Sequence, residues 1–357
     1  MKKRIGILTS GGDCPGLNAA IRGVGKAAID LLNADMVGIL GGYKGLIQGD
    51  SIPLAENDFS GILTLGGTIL RTSRQPFKNM RVIEDDKVDK VAAMKKNYEK
   101  WGLDALVILG GNGTHKTANL LAQEGLNVVG LPKTIDNDLY GTDITFGFQS
   151  AVDIATESLD RLSTTASSHD RVMVVELMGN SAGWLTLYAG IAGGASVILL
   201  PEIPYNIDAV YDAISRRMQK GKRYALVAVA EGAISTEEAK LSKKELRAQR
   251  AVSPFSTVSF RIAQQIQQNI LLETRVVVPG HVQRGGEPCP YDRVLSTRLG
   301  VHAAYLIKEK MFGCTVAVKD GIIGENKLSD IAGLTKRVSP DHELIRVASH
   351  TDASFGI

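Results

Sequence analysis

The chain has 357 residues, of which 44% are hydrophobic and 22% are charged. This balance is typical of a folded globular protein, and the length favours two domains because single cores usually stop growing near about 250–300 residues. The formal charge is only +3. Since no run of Lys and Arg is interleaved with aromatic residues, we expect no binding to nucleic acid. Cys14, Cys289 and Cys314 lie far apart, which predicts neither a disulfide framework nor a zinc site.

The amino-terminal segment predicts a cytoplasmic protein. MKKRIGILTSGGD begins with basic residues, but its apolar run of about five residues suits a strand and is too short for a signal peptide. No apolar stretch reaches the ~18 residues that a membrane helix needs. We therefore expect no association with a membrane.

Short β-branched runs alternate with amphipathic segments along the chain. The predicted order begins with a strand in RIGILTS, a helix in PGLNAAIRGVGKAAIDLL that starts at Pro15, a strand in DALVILGG, a helix in THKTANLLAQEG and a strand in NVVGLP. It continues with a helix from residue 148 to about 166, a strand in RVMVVELMG, a helix in AGWLTLYAGIAGG, a strand in SVILLPE, a helix near residues 207–218, and strands in YALVAVAEG and TRVVVPG. Apolar strands separated by helices predict an α/β protein with parallel sheets covered on both faces and ligands beyond the strands' carboxyl ends.

One segment departs from this pattern. STEEAKLSKKELRAQRAVS, residues 235–253, is charged at most positions. A solvated helix or a mobile loop is predicted there, because a stretch this polar has no apolar face to bury.

Two glycine-rich turns follow strands and precede helices. The glycine turn is TSGGD at residues 9–13, and the GGNGT loop covers residues 110–114. Glycine lets backbone N–H groups approach a phosphate, and a helix N-terminus adds a favourable field. Neither spacing matches a Walker A or dinucleotide motif, and Asn112 is equally compatible with a helix N-cap. Two such turns, expected on neighbouring strands, favour a shared polyphosphate site more than either turn does alone, and a plain turn is the alternative for each.

The carboxylate loop, PKTIDNDLYGTD at residues 132–143, carries Asp136 and Asp138 two positions apart, after Lys133 and Thr134. Like charges this close raise one another's pKa, so one carboxylate is a candidate base near neutral pH. An Asx-turn with a helix cap is the alternative.

Further charged side chains and a histidine lie near the starts and ends of predicted strands. His281 and Arg284 follow the last predicted strand, Arg275 lies at its start, Arg171 precedes another strand, and Glu231 ends a third. Arginine grips a phosphate monoester through two parallel hydrogen bonds, which favours a sugar phosphate as ligand. A buried structural histidine is as compatible with His281 as a ligand role.

Together these segments resemble the 6-phosphofructokinase family. The matching stretches are TSGGDCPGLNAAIR, GGTILRTSRQP, GGNGT, PKTIDNDLYGTD, SSHDRVMVVELMG, AGIAGG and PGHVQRGGEPCPYDR, over roughly residues 3–325. The resemblance implies two Rossmann-like three-layer αβα domains with mostly parallel sheets and an active-site cleft between them. Residues 1–147 with about 283–330 would bind the phosphoryl donor, and residues 148–282 with about 331–357 would bind fructose 6-phosphate. A homotetramer, or a dimer, is expected.

The resemblance also implies roles for single residues. Asp136 would take the proton from the sugar 1-hydroxyl, supported by Asp138 and Thr134, and the alkoxide would attack the terminal phosphoryl group of ATP or pyrophosphate. Mg²⁺ would be ordered at Asn112. Implied catalytic residues are Asp136, Asp138, Thr134, Lys133 and Arg74, and implied donor-binding residues are Gly11, Arg74, Gln75, Gly111, Asn112, Gly113 and Thr114. Implied substrate-binding residues are Thr134, Ile135, Asp136, Arg171, Met178, Gly179, Asn180, Glu231, Arg275, His281, Val282, Gln283 and Arg284, with Arg171 and Arg275 coming from a neighbouring subunit.

Two positions depart from the family pattern. ATP-using members generally carry Asp or Glu where this chain has Asn112, and most members carry Arg where it has Asn180. Losing one preorganised electrostatic contact costs about 10²–10³ in rate. Lys133, which pyrophosphate-dependent members share, is a hypothetical source of the charge that Asn180 lacks.

The donor follows from position 113. Pyrophosphate-dependent members carry Asp there, and its side chain intrudes on the region of the ATP α-phosphate, whereas Gly113 leaves that space open. ATP is therefore favoured, with pyrophosphate as the alternative. A non-catalytic sugar-phosphate sensor is a second alternative, although intact Asp136 and Asp138 argue against it. A nicotinamide-dependent oxidoreductase is disfavoured because GxGxxG is missing.

Overall fold

The computed structural model describes residues 2–85 and 87–357. The chain divides into two compact units, each built from separate stretches of sequence. Unit 1 runs to Ser150 and resumes over Arg284–Lys336, and unit 2 comprises Ala151–Gln283 and Arg337–Ile357. The assignment of donor binding to one unit and sugar binding to the other stays a prediction.

The described residues form strands, α-helices and short 3₁₀ helices. The strands are β1 Arg4–Thr9, β2 Asp35–Ile39, β3 Ser51–Leu54, β4 Ala105–Gly110, β5 Val128–Pro132, β6 Val172–Leu177, β7 Val197–Leu199, β8 Ala225–Ala230, β9 Thr274–Val277, β10 Cys314–Lys319 and β11 Ile322–Lys327. The α-helices are α1 Leu17–Leu32, α2 Tyr43–Gln48, α3 Lys90–Lys100, α4 Asn112–Gln123, α5 Phe148–His169, α6 Trp184–Ala192, α7 Ile207–Gln219, α8 Lys243–Ala251, α9 Val258–Ile270, α10 Pro290–Lys308, α11 Leu328–Ile331 and α12 Glu343–His350. The 3₁₀ helices are Glu56–Phe59, Phe77–Asn79, Glu238–Lys240 and Gly280–Arg284.

Unit 1 contains a seven-stranded sheet in the order β11-β10-β5-β4-β1-β2-β3. Its inner pairs are parallel, and only the outermost pairs, β10–β11 and β2–β3, are antiparallel. Strands β4 and β5 are buried along their whole length, which matches the continuous apolar runs expected of a sheet covered on both faces. Consequently β1, β4 and β5 end side by side, and Thr9 pairs with Leu109 while Gly110 pairs with Pro132.

Unit 2 contains a smaller, fully parallel sheet in the order β7-β8-β6-β9. Strands β6 and β8 are completely buried. Residues such as Val174, Val227 and Ile262 form one apolar core between this sheet and the helices α7 and α9. The prediction of an α/β fold with mostly parallel sheets is confirmed.

Two predicted helix starts differ from the structure. Helix α1 begins at Leu17 and not at Pro15, because Gly16 has a left-handed conformation with φ 101° that interrupts the helix. Asn112 is the first residue of α4 and does not cap it, since the N-cap position belongs to Gly111. The two outer strands on each side of the unit 1 sheet, β2 with β3 and β10 with β11, were not predicted.

The charged segment 235–253 is an anchored structure. Its second half forms the exposed helix α8, which begins with a capping box between Ser242 and Glu245, so the solvated-helix prediction is confirmed there. Its first half buries Glu238, which is 3% exposed and forms ion pairs with Arg250 and Arg261 at 3.2 and 2.7 Å. Within the described residues, no helix combines the length and apolarity needed to cross a membrane.

Candidate active site

Three loops of unit 1 leave the carboxyl ends of three adjacent parallel strands. The glycine turn follows β1, the GGNGT loop follows β4, and the carboxylate loop follows β5. This is the edge at which open α/β sheets bind their ligands. The expectation that the two glycine-rich turns lie on neighbouring strands is therefore met by the sheet order.

Local hydrogen bonds shape the carboxylate loop. The backbone N–H of Asp136 donates to Thr134 Oγ1 at 3.1 Å, while the Thr145 hydroxyl donates to the Thr134 carbonyl at 2.7 Å. Asn137 has a left-handed backbone with φ 50°, and its Oδ1 accepts from the Thr145 N–H at 3.1 Å. Ile135 is fully buried. These contacts fix the loop from both sides of the two carboxylates.

The two carboxylates differ in environment. Asp136 is half-buried, whereas Asp138 is 8% exposed. Burial, and next the charge of Asp136, raise the pKa of Asp138 from 3.8 to about 6. The expected effect of one carboxylate on the pKa of the other is thus present at Asp138. Two carboxylates in one short loop also concentrate negative charge, which would stabilise a cation there.

Lys133 links the carboxylate loop to the glycine turn. Its side chain is buried, and Nζ donates to the carbonyl oxygen of Gly12. Burial lowers the pKa of Lys133, and the nearby charge of Arg284 acts in the same direction. A positive charge this close to the turn favours an anion there.

Two arginines join Lys133 at the glycine turn. Arg284 Nη1 donates to the Asp13 carbonyl at 3.1 Å and lies 2.8 Å from where a Cβ on Gly12 would stand, and Arg74 Nη2 lies 3.6 Å from that point. A side chain at position 12 would therefore displace the Arg284 guanidinium from its present place at the turn. Among the described residues, the buried Nε of Arg284 has no hydrogen-bond acceptor, which suits an anionic ligand.

The segment around Arg74 and Gln75 is held by Gly11. The N–H of Gly11 donates to the Ser73 carbonyl at 3.0 Å, and the Thr72 hydroxyl donates to the Gly11 carbonyl at 2.8 Å. This brings the exposed Arg74 to the turn. The expected hydrogen bond from the Gly11 N–H to a donor phosphate stays a prediction, and it would have to displace Ser73.

The GGNGT loop opens helix α4. The amides of its first turn, from Asn112 to Thr114, have no acceptor within the helix, as in any α-helix. They lie at the positive end of the helix dipole, which favours an anion there. Thr114 Oγ1 donates to the Ser10 carbonyl at 3.3 Å, which joins this loop to the glycine turn. A Cβ built on Gly113 would meet no heavy atom within 4 Å, whereas Gly111 has the Lys133 carbonyl at 3.6 Å. The space beside Gly113 is open.

Asn112 is engaged by the segment that follows α11. Its Nδ2 donates to the Leu334 carbonyl at 2.8 Å and to Thr335 Oγ1 at 3.2 Å, and its Oδ1 accepts from the Gly333 N–H at 3.1 Å. The amide oxygen therefore retains only one lone pair for a metal-bound water. A metal role for Asn112 stays a prediction.

Unit 2 gathers another group of predicted residues at the carboxyl ends of its strands. Met178, Gly179 and Asn180 follow β6, and Glu231 follows β8. Glu231 Oε1 accepts from the N–H groups of Gly179 and Asn180 at 3.2 and 2.7 Å. Asn180 has a left-handed backbone with φ 53°, a conformation that Asn tolerates better than Arg does. That preference gives a local structural reason for Asn at this position.

The short helix Gly280–Arg284 after β9 adds to the same end of the sheet. Gln283 is fully buried, and its Oε1 accepts from the Met178 N–H at 3.3 Å. His281 and Val282 are exposed. Arg284, the last residue of this helix, belongs to unit 1 and contacts the glycine turn through the Asp13 carbonyl.

Arg171 and Arg275 lie at the opposite end of the unit 2 sheet, where its parallel strands begin. Arg171 precedes β6, Arg275 lies near the start of β9, and both form ion pairs with Glu273. Since the six residues of β6 span about 20 Å, these arginines are far from Glu231 of their own chain. The structure thus pairs the two arginines and separates them from the other predicted sugar-binding residues.

Two side chains of unit 1, the buried His115 and the half-buried Lys336, carry no clear signal in the sequence. Burial lowers the pKa of His115 from 6.5 to about 4, so it is neutral, and it bonds the Gly111 carbonyl and Thr315 Oγ1, both at 2.9 Å. Lys336 Nζ reaches Asn137 Oδ1 at 3.1 Å. A sequence reading finds such residues only where they fall inside a known motif, and neither does.

The residues present fit a magnesium ion that is shared with a ligand. The described part of the chain holds no group of three or more His, Cys, Asp or Glu side chains that would cage a metal. Mg²⁺ in phosphate sites keeps several waters and needs only one or two carboxylates beside the substrate phosphates. Asp138, with its raised pKa, is a hard oxygen ligand of this kind.

Comparison with known proteins assigns the family. The family model described as phosphofructokinase matches residues 4–307. The chain is 54% identical to the ATP-dependent 6-phosphofructokinase of Spirochaeta thermophila over 99% of this chain and 98% of that protein. It is 45% identical to the pyrophosphate–fructose 6-phosphate 1-phosphotransferase of Amycolatopsis methanolica, covering 95% of this chain and 97% of that one.

A solved structure agrees with these sequence matches. The phosphofructokinase of Saccharomyces cerevisiae superposes with a TM-score of 0.81 at 32% identity, over 98% of this chain. The present chain spans 47% of the length of that yeast chain. The resemblance inferred from the motifs is thereby confirmed, and the chain belongs to the phosphofructokinase family.

Proposed function

We propose that this protein transfers the terminal phosphoryl group of ATP to the 1-hydroxyl of fructose 6-phosphate, the committed step of glycolysis in the cytoplasm. One observation carries the proposal: Lys133, Arg74 and Arg284 surround a glycine turn, and the loop with Asp136 and Asp138 leaves the same edge of the sheet. Cations around flexible backbone suit a polyphosphate, and the carboxylate supplies the base.

In phosphoryl transfer the protein contributes mainly the positioning of the reactants and the electrostatic stabilisation of the transition state. Asp136 accepts the proton of the sugar 1-hydroxyl, the alkoxide oxygen bonds to the terminal phosphorus, and the bond from that phosphorus to the bridging oxygen breaks to release ADP. Lys133, Arg74 and Arg284 stabilise the negative charge on the phosphoryl oxygens and the leaving group. Thr134 fixes the Asp136 backbone through the 3.1 Å hydrogen bond. Asp138 and Asn112 would hold Mg²⁺, which would supply positive charge to offset that of the donor phosphates.

The sugar would be held by residues of unit 2. Glu231 fixes the backbone after β6 by accepting from Gly179 and Asn180, which supports a role for this turn in gripping the sugar hydroxyls. Arg171 and Arg275 would hold the 6-phosphate of a sugar bound to a neighbouring subunit. Their position at the far end of their own sheet supports that assignment. We therefore propose a homo-oligomer, a homotetramer with a dimer as the alternative.

ATP is favoured over pyrophosphate by the open space at Gly113. Pyrophosphate is the second candidate, supported by the buried Lys133 at the glycine turn and by the name of the Amycolatopsis methanolica relative. A clash excludes a ligand, whereas an additional lysine only favours one. The steric argument therefore carries more weight.

The test is a direct assay of the purified protein with fructose 6-phosphate and Mg²⁺, and with either ATP or pyrophosphate as donor. We expect formation of fructose 1,6-bisphosphate with a higher kcat/KM for ATP. A higher value for pyrophosphate would reverse the donor assignment. Turnover with neither donor, together with thermal protection by fructose 6-phosphate, would indicate a sugar-phosphate sensor.

A further inference from the structure

Residues 333–336, which we name the strap, touch two loops of the candidate site within unit 1. The first contact is with Asn112, whose side-chain amide accepts from Gly333 and donates to Leu334 and Thr335. Thr335 then pairs with Leu139 in an antiparallel bridge. The strap therefore runs from the start of α4 to the carboxylate loop.

Lys336 completes the second contact. Its N–H donates to the Asp138 carbonyl at 2.8 Å, and its Nζ donates to Asn137 Oδ1, the Thr142 carbonyl and the Asp143 carbonyl at 3.1, 2.9 and 2.8 Å. An ammonium has three donors, and three acceptors of the carboxylate loop surround this one. Lys336 thus determines how both ends of the 137–143 segment lie relative to each other.

The strap also gives a reason for Asn at position 112. Leu334 presents a carbonyl oxygen 2.8 Å from Nδ2, and only a donor is stable there. An Asp side chain of the same shape would accept from Gly333 but would turn its second oxygen toward the Leu334 carbonyl, where two acceptors repel. Residue 112 is therefore matched to the strap.

We propose that the strap positions the phosphoryl-transfer machinery, with Asn112 and Lys336 as positioning residues that hold the GGNGT loop and the carboxylate loop in register. The strap lies outside residues 4–307, which the family model matches. The kinetic consequence rests on the proposed function, because phosphoryl transfer depends on placement and a shift of about 1 Å costs on the order of 10²-fold in rate.

Lys336→Met in the full-length protein tests the second contact. We expect kcat to fall about 10- to 100-fold with KM values for both substrates nearly unchanged, since placement and not binding is lost. Amide hydrogen exchange over residues 136–143 should accelerate while the global unfolding midpoint stays close to wild type. Lys319→Met is the matched control, because Lys319 donates to a single carbonyl, that of Glu325, in the β10–β11 hairpin. Wild-type kcat and exchange in Lys336→Met would overturn the proposal.

Asn112→Asp tests the first contact without changing the size of the side chain. We expect faster exchange in residues 333–336 and, through the strap, in residues 136–143, together with a lower kcat. A direct metal-ligand role for residue 112 predicts the opposite, because a carboxylate binds Mg²⁺ better than an amide. A raised kcat, or amide exchange equal to that of the wild type, would overturn the proposed positioning role of the strap. If Lys336→Met fails to fold, the Asn112→Asp results alone test whether the strap positions the two loops.

The exchange measurements separate the two proposals. They require no turnover, so a wild-type protein inactive with both donors would refute the proposed function while the exchange results still test the strap. An active wild-type protein whose Asn112→Asp and Lys336→Met variants keep normal kcat and normal exchange would refute the strap alone.

Discussion

The side-chain ammonium of Lys133 donates a hydrogen bond to the carbonyl oxygen of Gly12, which ties the carboxylate loop to the glycine turn. Lys133 is only 3% exposed, so its charge acts in a poorly hydrated environment where electrostatic interactions are strong. The same contact places a cation beside the backbone that would receive the donor phosphates.

Replacing this lysine should therefore reduce turnover severely. We expect Lys133→Met to lower kcat/KM with ATP by about 10²–10³, the usual cost of one preorganised electrostatic contact. Adding Asn180→Arg, the residue most family members carry, should recover part of the loss. Steady-state kinetics with thermal denaturation checks the result.

Lys90→Met is the control for Lys133→Met. Lys90 is also buried and donates to the Asn79 and Val82 carbonyls and to Glu84 Oε2. It belongs to none of the three loops, and none of these acceptors does. Its replacement should reduce stability and leave kcat/KM near wild type. Equal kinetic losses in both variants, or no recovery with Asn180→Arg, would contradict the charge-compensation role.

Gly113 should control the choice of donor. We expect Gly113→Asp to lower kcat/KM for ATP strongly while that for pyrophosphate changes little, because the new side chain would occupy the region of the ATP α-phosphate. The protein itself has room for it, since a Cβ at this position meets no heavy atom within 4 Å, and a carboxylate in the first turn of α4 is favourable to the helix dipole. Stability should therefore be unchanged. Parallel assays with both donors measure the ratio of kcat/KM for ATP to kcat/KM for pyrophosphate.

Gly113→Ala is the matched variant for that experiment. It adds a methyl group without charge and should retain most of the activity with ATP. An ATP-to-pyrophosphate ratio that stays constant across wild type, Gly113→Ala and Gly113→Asp would remove the steric argument for the donor.

Local sequence patterns predicted the ends of β1, β4 and β5 correctly, because apolar runs followed by glycine or by Pro-Lys-Thr mark a buried strand and its exit. They could not predict the bonds that tie the loops together. Asn112 and Leu334 are more than 200 positions apart, and no periodicity relates them. Likewise, nothing near Gly11 indicates that its N–H donates to Ser73. Such contacts depend on tertiary packing, which short-range propensities do not encode.

The anchored segment 235–253 yields a stability prediction. Burial acts to raise the pKa of Glu238, but hydrogen bonds from Arg261, Ser235 and Arg250 outweigh it and hold the pKa at about 2. Because this value lies below the ordinary 4.5, the interaction stabilises the folded state above pH 4.5 and is lost as the pH falls through about 2. Glu238→Gln should thus cost roughly 2 kcal/mol at pH 7, discounted because the arginine partners are partly exposed.

Urea unfolding at pH 7 and at pH 3 measures this effect. The difference between wild type and Glu238→Gln should be smaller at pH 3. Glu237→Gln is the control, because Glu237 forms an exposed ion pair with Lys240 and such pairs contribute little. A pH-independent difference would show that Glu238 stabilises by packing alone.

The pairing of Arg171 and Arg275 at the far end of the unit 2 sheet predicts complementation between subunits. A chain with Asp136→Asn lacks the base, and a chain with both Arg171→Ala and Arg275→Ala lacks the proposed grip on the 6-phosphate, so each alone should be nearly inactive. In a hybrid, the base of the double variant meets the arginines of the Asp136→Asn chain. Random mixing across a two-fold interface should then restore about a quarter of wild-type activity.

Refolding the two variants together and assaying the product tests this arrangement. Mixing without refolding should restore nothing until subunits exchange, and refolding each variant alone is the control for contamination. If the arginines acted on the sugar bound by their own chain, every hybrid site would lack either the base or the arginines, and co-refolding would restore no activity. Size-exclusion chromatography of the hybrids shows whether the recovered activity belongs to the oligomer, as a shared site requires.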